Sequence, residues 1–211
     1  MDFDIKMPPK ILVLGDIMVD EYFVGSVHRM SPEAPVPIVN VSKHFCRLGG
    51  AGNVINNLKS LGAYVDVIGV IGECDASEVI LSELARLGCH TKYLMLDENK
   101  IMPKKSRILS GTQQLVRYDI EETVALSEII DQKIRNCFTN IVGGYDLVLL
   151  SDYAKGLLSE ELTKFLIQES QRVGVPVLVD PKGNDYTKYK GAYCITPNKK
   201  ELELFWGADI K

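Results

Sequence analysis

The feature that most constrains the fold is a set of short apolar runs, each ending in a polar residue. Residues 11–14 read ILVL and run into Gly15-Asp16. Residues 147–150 read LVLL and run into Ser151-Asp152, and 175–179 read VPVLV before Asp180-Pro181-Lys182-Gly183. A strand that is apolar at every position needs cover on both faces, which a parallel sheet flanked by helices provides. The segments between these runs have helical spacing. In 51–61, Val54, Leu58 and Leu61 fall on one face before Gly62; in 77–87, Val79, Ile80, Leu84 and Leu87 do so before Gly88. Further helices are expected near 127–138, 159–172 and 199–205, and further strands at 65–71, 93–96 and 192–195. Alternating strands and helices predict an α/β sandwich with a mostly parallel sheet.

Two stretches break this rhythm. Residues 22–42 contain Ser31-Pro32-Glu33-Ala34-Pro35, whose prolines forbid a helix, followed by an extended run at 36–41. Within 104–119, residues 106–109 and 114–118 resemble an antiparallel pair around Gly111. Both stretches are expected to form a lid. Tyr22, Phe23, Phe45 and Trp206 are expected to pack in the core, and Glu121-Glu122 to lie in a solvated loop.

Composition narrows the function classes. A net charge of −4 gives no reason to expect nucleic acid or an anionic membrane as the main partner. Five widely spaced cysteines without a C-x-x-C pair suggest reduced thiols in a cytoplasm rather than a disulfide framework. His28, His44 and His90 show no spacing typical of a structural zinc site. The first ten residues have no signal-peptide character, and no apolar stretch reaches the roughly eighteen residues of a membrane span.

Ligands of open parallel sheets bind outside the carboxyl ends of the strands. Asp16, Asp20, Asp152, Asp180, Lys182 and Asn198 gather there, a set that suits a phosphorylated polar ligand and a metal. Taken singly, such residues also cap helices and make turns. Gly49-Gly50-Ala51-Gly52-Asn53 opens a helix and offers close backbone approach. With no third glycine and no clear strand before it, it is not a dinucleotide fingerprint, and no G-x-x-x-x-G-K-[ST] loop occurs. Asn198 and Glu201 have the spacing of a capping box, and equally that of a pair holding Mg²⁺ waters beside a nucleotide phosphate.

Several longer runs resemble the heptose-7-phosphate kinases of the ribokinase (PfkB) family. These are Gly15-Asp16-x-Met18-x-Asp20, Ser31-Pro32-Glu33-Ala34-Pro35-Val36-Pro37, Gly49-Gly50-Ala51-x-Asn53 and Gln113-Gln114-Leu115-x-Arg117. To them are added Leu149-Leu150-Ser151-Asp152-Tyr153-Ala154-Lys155-Gly156, Asp180-Pro181-Lys182-Gly183 and Thr196-Pro197-Asn198-x-x-Glu201. The resemblance implies a three-layer ribokinase-like sandwich with a small β lid. It implies transfer of a phosphoryl group from ATP, with Mg²⁺, to the anomeric hydroxyl of heptose 7-phosphate. By the same resemblance, Asp20, Gly49, Gly50 and Asn53 meet the sugar, and Asp152 is a substrate-binding residue too. Arg117 and Lys182, assisted by Lys105 or Arg107, meet its phosphate, and Asn198 and Glu201 position Mg²⁺, Glu201 through water.

Ser110-Gly111-Thr112 departs from the more basic run the family often carries there. The family's G-A-G-D motif, source of the base and the anion hole, does not occur in these 211 residues. The resemblance therefore assigns no catalytic residue within the chain and places the base downstream of Lys211. It implies a sugar-side portion with the C-terminal third absent. It also implies sugar phosphate and ATP as partners, and a homodimer through the lid. Rival readings are another ribokinase-like sugar kinase and a non-catalytic sugar-phosphate binder.

Overall fold

The two faces of the first strand decide the layering. In the computed structural model, which describes residues 7–183 and 185–207, β1 spans Lys10–Gly15. Its Leu12 and Leu14 enter one core with Ile68, Val148, Leu150, Val177 and Val179, while Ile11 and Val13 enter another with Val65, Val67 and Ile71. Successive side chains of a strand point to opposite faces, so a wholly apolar strand feeds both cores. Lys211, beyond which the resemblance places the base, lies outside the described residues.

Six parallel strands make this sheet: β1, β4 (Tyr64–Ile71), β5 (Leu94–Leu96), β8 (Leu147–Ser151), β9 (Val177–Asp180) and β10 (Cys194–Ile195). Their order is β10-β9-β8-β1-β4-β5. Helices α1 (Ala51–Ser60) and α2 (Asp75–Arg86) cover one face through Ala51, Ile55, Ile80 and Leu84. Helices α3 (Glu128–Ile141) and α4 (Glu160–Arg172) cover the other through Ile134, Phe138, Leu162 and Leu166. Ser127 and Ser159 cap these two helices by accepting from the N–H groups of Ile130 and Leu162. The expected three-layer arrangement is therefore present.

The core face of α1 differs from expectation. Ala51, Gly52 and Ile55 are buried, whereas Leu61 is exposed. The start of the helix runs so close to Leu48 that only small residues fit, and bulk-weighted periodicity overlooks them.

A second, four-stranded sheet has the order β3-β2-β6-β7: β2 (Ile17–Met30), β3 (Pro37–Gly50), β6 (Lys104–Ser110) and β7 (Gln113–Ile120). Strands β2 and β3 are antiparallel, β2 and β6 parallel, and β6 and β7 antiparallel about Gly111, whose φ is +60°. The sheet is larger than expected, because β2 begins immediately after β1 and β3 runs into Gly49-Gly50. A strand does precede the glycines. It escapes apolar-run reading because residues 43–47 read KHFCR, with only Phe45 and Cys46 apolar, on an edge strand.

Tyr22, Phe23 and Phe45 are half-buried on this sheet rather than in either core. Tyr22 stacks on Phe45 at 4.9 Å and Phe23 on His44 at 4.5 Å. Trp206 is exposed, because the neighbouring positions of helix α5 (Lys199–Trp206) face elsewhere: Glu201 turns inward and Phe205 stacks on Tyr186. Among the described residues no helix is long and apolar enough to cross a membrane, and all five cysteines are free.

Candidate functional site

The strand order reverses at β1. The chain winds outward from β1 to β4 and β5, then returns to β8 on the other side of β1 and continues to β9 and β10. The crevice of such a sheet lies beyond the carboxyl ends of the strands flanking the reversal. In register, Gly15 stands beside Ser151 and Ser151 beside Asp180, so Asp16, Asp152 and Asp180 follow at one edge. Gly15 must be glycine here, because a Cβ would lie 2.3 Å from the Ser151 carbonyl oxygen.

Two of these carboxylates are consumed by the framework. Buried Asp16 accepts from the N–H groups of Tyr153, Lys155 and Leu157 at 3.2, 3.0 and 3.2 Å. Burial pushes its carboxyl above the usual range although these amides pull it down. Asp152, 2% exposed, accepts from the Tyr189 hydroxyl at 2.7 Å, Lys188 Nζ at 2.5 Å and the Ala154 N–H at 2.7 Å. Burial and Asp152 together raise the Tyr189 hydroxyl far above its ordinary value. These contacts hold the 153–158 loop, where Ala154 sits at φ +55°; they describe an anchoring role for Asp152.

The second sheet contributes the polar face above this edge. Asp20 lies half-buried on β2, and its Oδ1 accepts from the Arg107 guanidinium at 2.5 Å. A Cβ on Gly49 would sit 2.6 Å from Asp20 Oδ2, so the glycine makes room for that carboxylate. Gly50 caps α1 at φ +57°, and a Cβ there would meet the Asp16 carbonyl oxygen at 2.3 Å. Lys105, in register with Asp20, is held by Asp119 at 3.3 Å and Glu121 at 3.2 Å.

Glu121 is thus no idle loop residue. It also takes Lys155 Nζ at 2.8 Å, tying the second sheet to the 153–158 loop, and its cations hold its carboxyl below the usual range. Exposed Arg117 pairs with Asp119 at 3.0 Å. Asn53 is exposed on the first turn of α1, in a cleft with Arg47, Asn56, Glu83 and Arg86.

On the other flank, Asn198 and Glu201 form the capping box at the start of α5. The Asn198 side chain accepts from the Glu201 N–H, and Glu201 Oε2 accepts from the Asn198 N–H, both at 3.0 Å. Lys182 Nζ reaches Glu201 Oε1 at 3.1 Å. Burial, then the charges of Glu201 and Asp152, push the Asp180 carboxyl up, against the pull of Lys182.

Sequence reasoning missed Tyr153. Its half-buried hydroxyl is raised by burial and then by the charges of Asp180, Asp20 and Glu201. It also missed Arg47, opposite Asp20 on β3 with its guanidinium 5.3 Å from the Phe45 ring centroid. Tyr153 follows a strand end within the run at 149–156 that carries the resemblance, and the signal for Arg47 was its place before the glycine pair.

Residues 8–211 match the pfkB family of carbohydrate kinases. The chain belongs to this family.

Two curated relatives, each called Bifunctional protein HldE, show how near the likeness comes. That of Nitratiruptor sp. is 50% identical over 205 residues, and that of Aliarcobacter butzleri 47% identical over 203. The alignments cover 97% and 96% of this chain but 43% of each relative, so the chain spans less than half their length. Among solved structures, phosphofructokinase-2 of Escherichia coli in its tetrameric inhibited form superposes with a TM-score of 0.73 at 18% identity. That match covers 97% of this chain and 66% of that one. Arabidopsis thaliana ribokinase complexed with ribose and ATP gives 0.68 at 18% identity, covering 95% and 64%. Both share the ribokinase-like fold of this pfkB member.

Proposed function

We propose that this chain forms the sugar-binding side of an ATP-dependent kinase that phosphorylates heptose 7-phosphate at its anomeric hydroxyl, with the base supplied from beyond Lys211. The observation that supports the reading is Asp20 on the second sheet, with Gly49 leaving its Oδ2 uncovered, Arg107 and Lys105 beside it, and Glu121 joining Lys105 to Lys155 in the loop after β8. The identity of 43–50% to the bifunctional HldE proteins supports heptose as the sugar class.

On this reading, Asp20 accepts hydroxyl hydrogen bonds through the oxygen that Gly49 leaves uncovered. Arg107 fixes the carboxylate's orientation and, with Lys105, supplies positive charge toward the 7-phosphate. Gly49 and Gly50 let the sugar approach the backbone where α1 begins. The second sheet acts as a lid, tied to the crevice by Glu121 and Lys155, and a homodimer forms through it.

Asp180 and Glu201 are oxygen donors of the kind a magnesium ion with its waters would take, and Asn198 holds Glu201 in place through the capping box. When bound with ATP, Mg²⁺ supplies charge neutralisation of the transferring phosphoryl group. Lys182 balances Glu201 and offers a cation to a phosphate oxygen. The chain's own contribution is positioning, which for phosphoryl transfer is most of catalysis.

The test is ADP release by the intact enzyme on a panel of heptose 7-phosphate, unphosphorylated heptose, ribose and fructose 6-phosphate. A clear preference in kcat/KM for heptose 7-phosphate is expected; equal or greater turnover of another sugar would overturn the assignment.

A further inference from the structure

The face of the second sheet opposite Asp20 carries a cluster that the kinase reading does not use. Residues 20 and 21 point to opposite faces of β2, so Glu21 faces away from the sugar side. Cys46 stands directly opposite Glu21 across the β2–β3 pair, and His44 lies two residues back on the same face of β3. The three ligand atoms all lie within 4.8 Å of one another, with His44 Nε2 3.1 Å from Glu21 Oε1.

We propose that Glu21, His44 and Cys46 form a divalent transition-metal site of zinc type, independent of the sugar site. Two donors at about 2.0–2.2 Å on a tetrahedral ion lie about 3.3–3.6 Å apart, so the His44–Glu21 pair needs little adjustment and Cys46 a modest rotation. Carboxylate, imidazole and thiolate together select zinc or cobalt over magnesium.

The surroundings support a ligating geometry. Glu21 Oε2 accepts from Ser106 Oγ at 2.5 Å and lies 3.4 Å from Lys104 Nζ, which fixes the carboxylate from β6 and leaves Oε1 toward the other ligands. Glu21 is buried, Cys46 half-buried, and the His44 side chain 50% exposed, so a water can complete the coordination from the solvent side. The charged groups facing the cluster are Lys104 from β6 and Glu83 from α2. Burial and Glu21 hold the Cys46 thiol above its ordinary value, so binding expels its proton to solvent as the S–H bond gives way to a metal–sulfur bond. The bound ion cross-links the two long strands at their bases.

The experiment is a titration of the reduced, metal-free protein with Co²⁺, followed by displacement with Zn²⁺. One equivalent with a thiolate-to-cobalt charge-transfer band is expected, unaffected by millimolar Mg²⁺ and strengthening about tenfold per pH unit between 7 and 8. The band disappears in Cys46→Ser, persists in Cys74→Ser, and needs at least tenfold more Co²⁺ in His44→Ala. Should Cys46→Ser fail to fold, His44→Ala decides, because that half-exposed ring belongs to neither core. No band, a band surviving in Cys46→Ser, or wild-type affinity in His44→Ala would overturn the site.

Discussion

Asp152 offers a sharp separation of framework from ligand. Its carboxylate is 2% exposed and takes three donors, the Tyr189 hydroxyl, the Lys188 ammonium and the Ala154 amide. Asp152→Ala leaves the Tyr189 hydroxyl and the Ala154 amide without this acceptor, and the Lys188 cation, with a side chain 21% exposed, keeps the Leu158 carbonyl oxygen but loses its counter-charge in a mostly dry setting. Removing one partner of a buried pair costs about 3–5 kcal/mol. A chain of this size loses about 2–4 °C of Tm per kcal/mol, so the melting point should fall by about 6–20 °C. Tyr189→Phe removes one donor and should cost only about 1–3 kcal/mol. The assay is thermal and urea unfolding of both variants beside wild type. An Asp152→Ala protein that melts within about 1 °C of wild type yet loses turnover would refute the anchoring argument and make Asp152 a substrate ligand.

Gly50→Ala should destabilise by about 1–3 kcal/mol from backbone strain alone at φ +57°, with more from the Cβ pressed on the Asp16 carbonyl oxygen. A wild-type Tm in that variant would contradict this. Burial works to raise the Glu21 carboxyl, but Ser106, His44 and Lys104 outweigh it and hold it below its ordinary value. A depressed carboxyl stabilises above its unfolded pKa and loses that contribution as pH falls through the folded one. With chelator present, Glu21→Gln should therefore be less stable than wild type at about pH 7, and the gap should close on acidification below about pH 4. A gap that is constant or widens would refute it.

What was legible in the sequence follows from burial. Residues 11–14 and 147–150 announced themselves because both faces of their strands are covered. The helices expected near 127–138 and 159–172 were legible as segments between strands, and in the fold Ser127 and Ser159 cap them. The long strands β2 and β3 were only partly legible, because a sheet wet on part of its surface mixes charges with aromatics and leaves no apolar run. The duties of Asp16 and Asp152 were hidden for another reason. Lys188 and Tyr189 lie 36 and 37 residues beyond Asp152, and the amides around Asp16 lie about 140 residues away. Strand-end aspartates look alike until the fold shows which are already occupied. Asn198 and Glu201 were ambiguous in sequence because a capping box and a pair holding metal waters share one spacing; in the fold the capping box forms.

The central claim is that Asp20 receives the sugar hydroxyls on the inner face of the second sheet. Its most direct test is kcat/KM of Asp20→Asn in the intact enzyme for heptose 7-phosphate, with KM for ATP measured alongside. A hydrogen bond to a charged group is worth about 1.5–3 kcal/mol, which at about 1.36 kcal/mol per decade is a fall of about 10- to 150-fold. The account predicts that fall with an unchanged KM for ATP and a Tm close to wild type. An unchanged kcat/KM in a folded Asp20→Asn protein would contradict it.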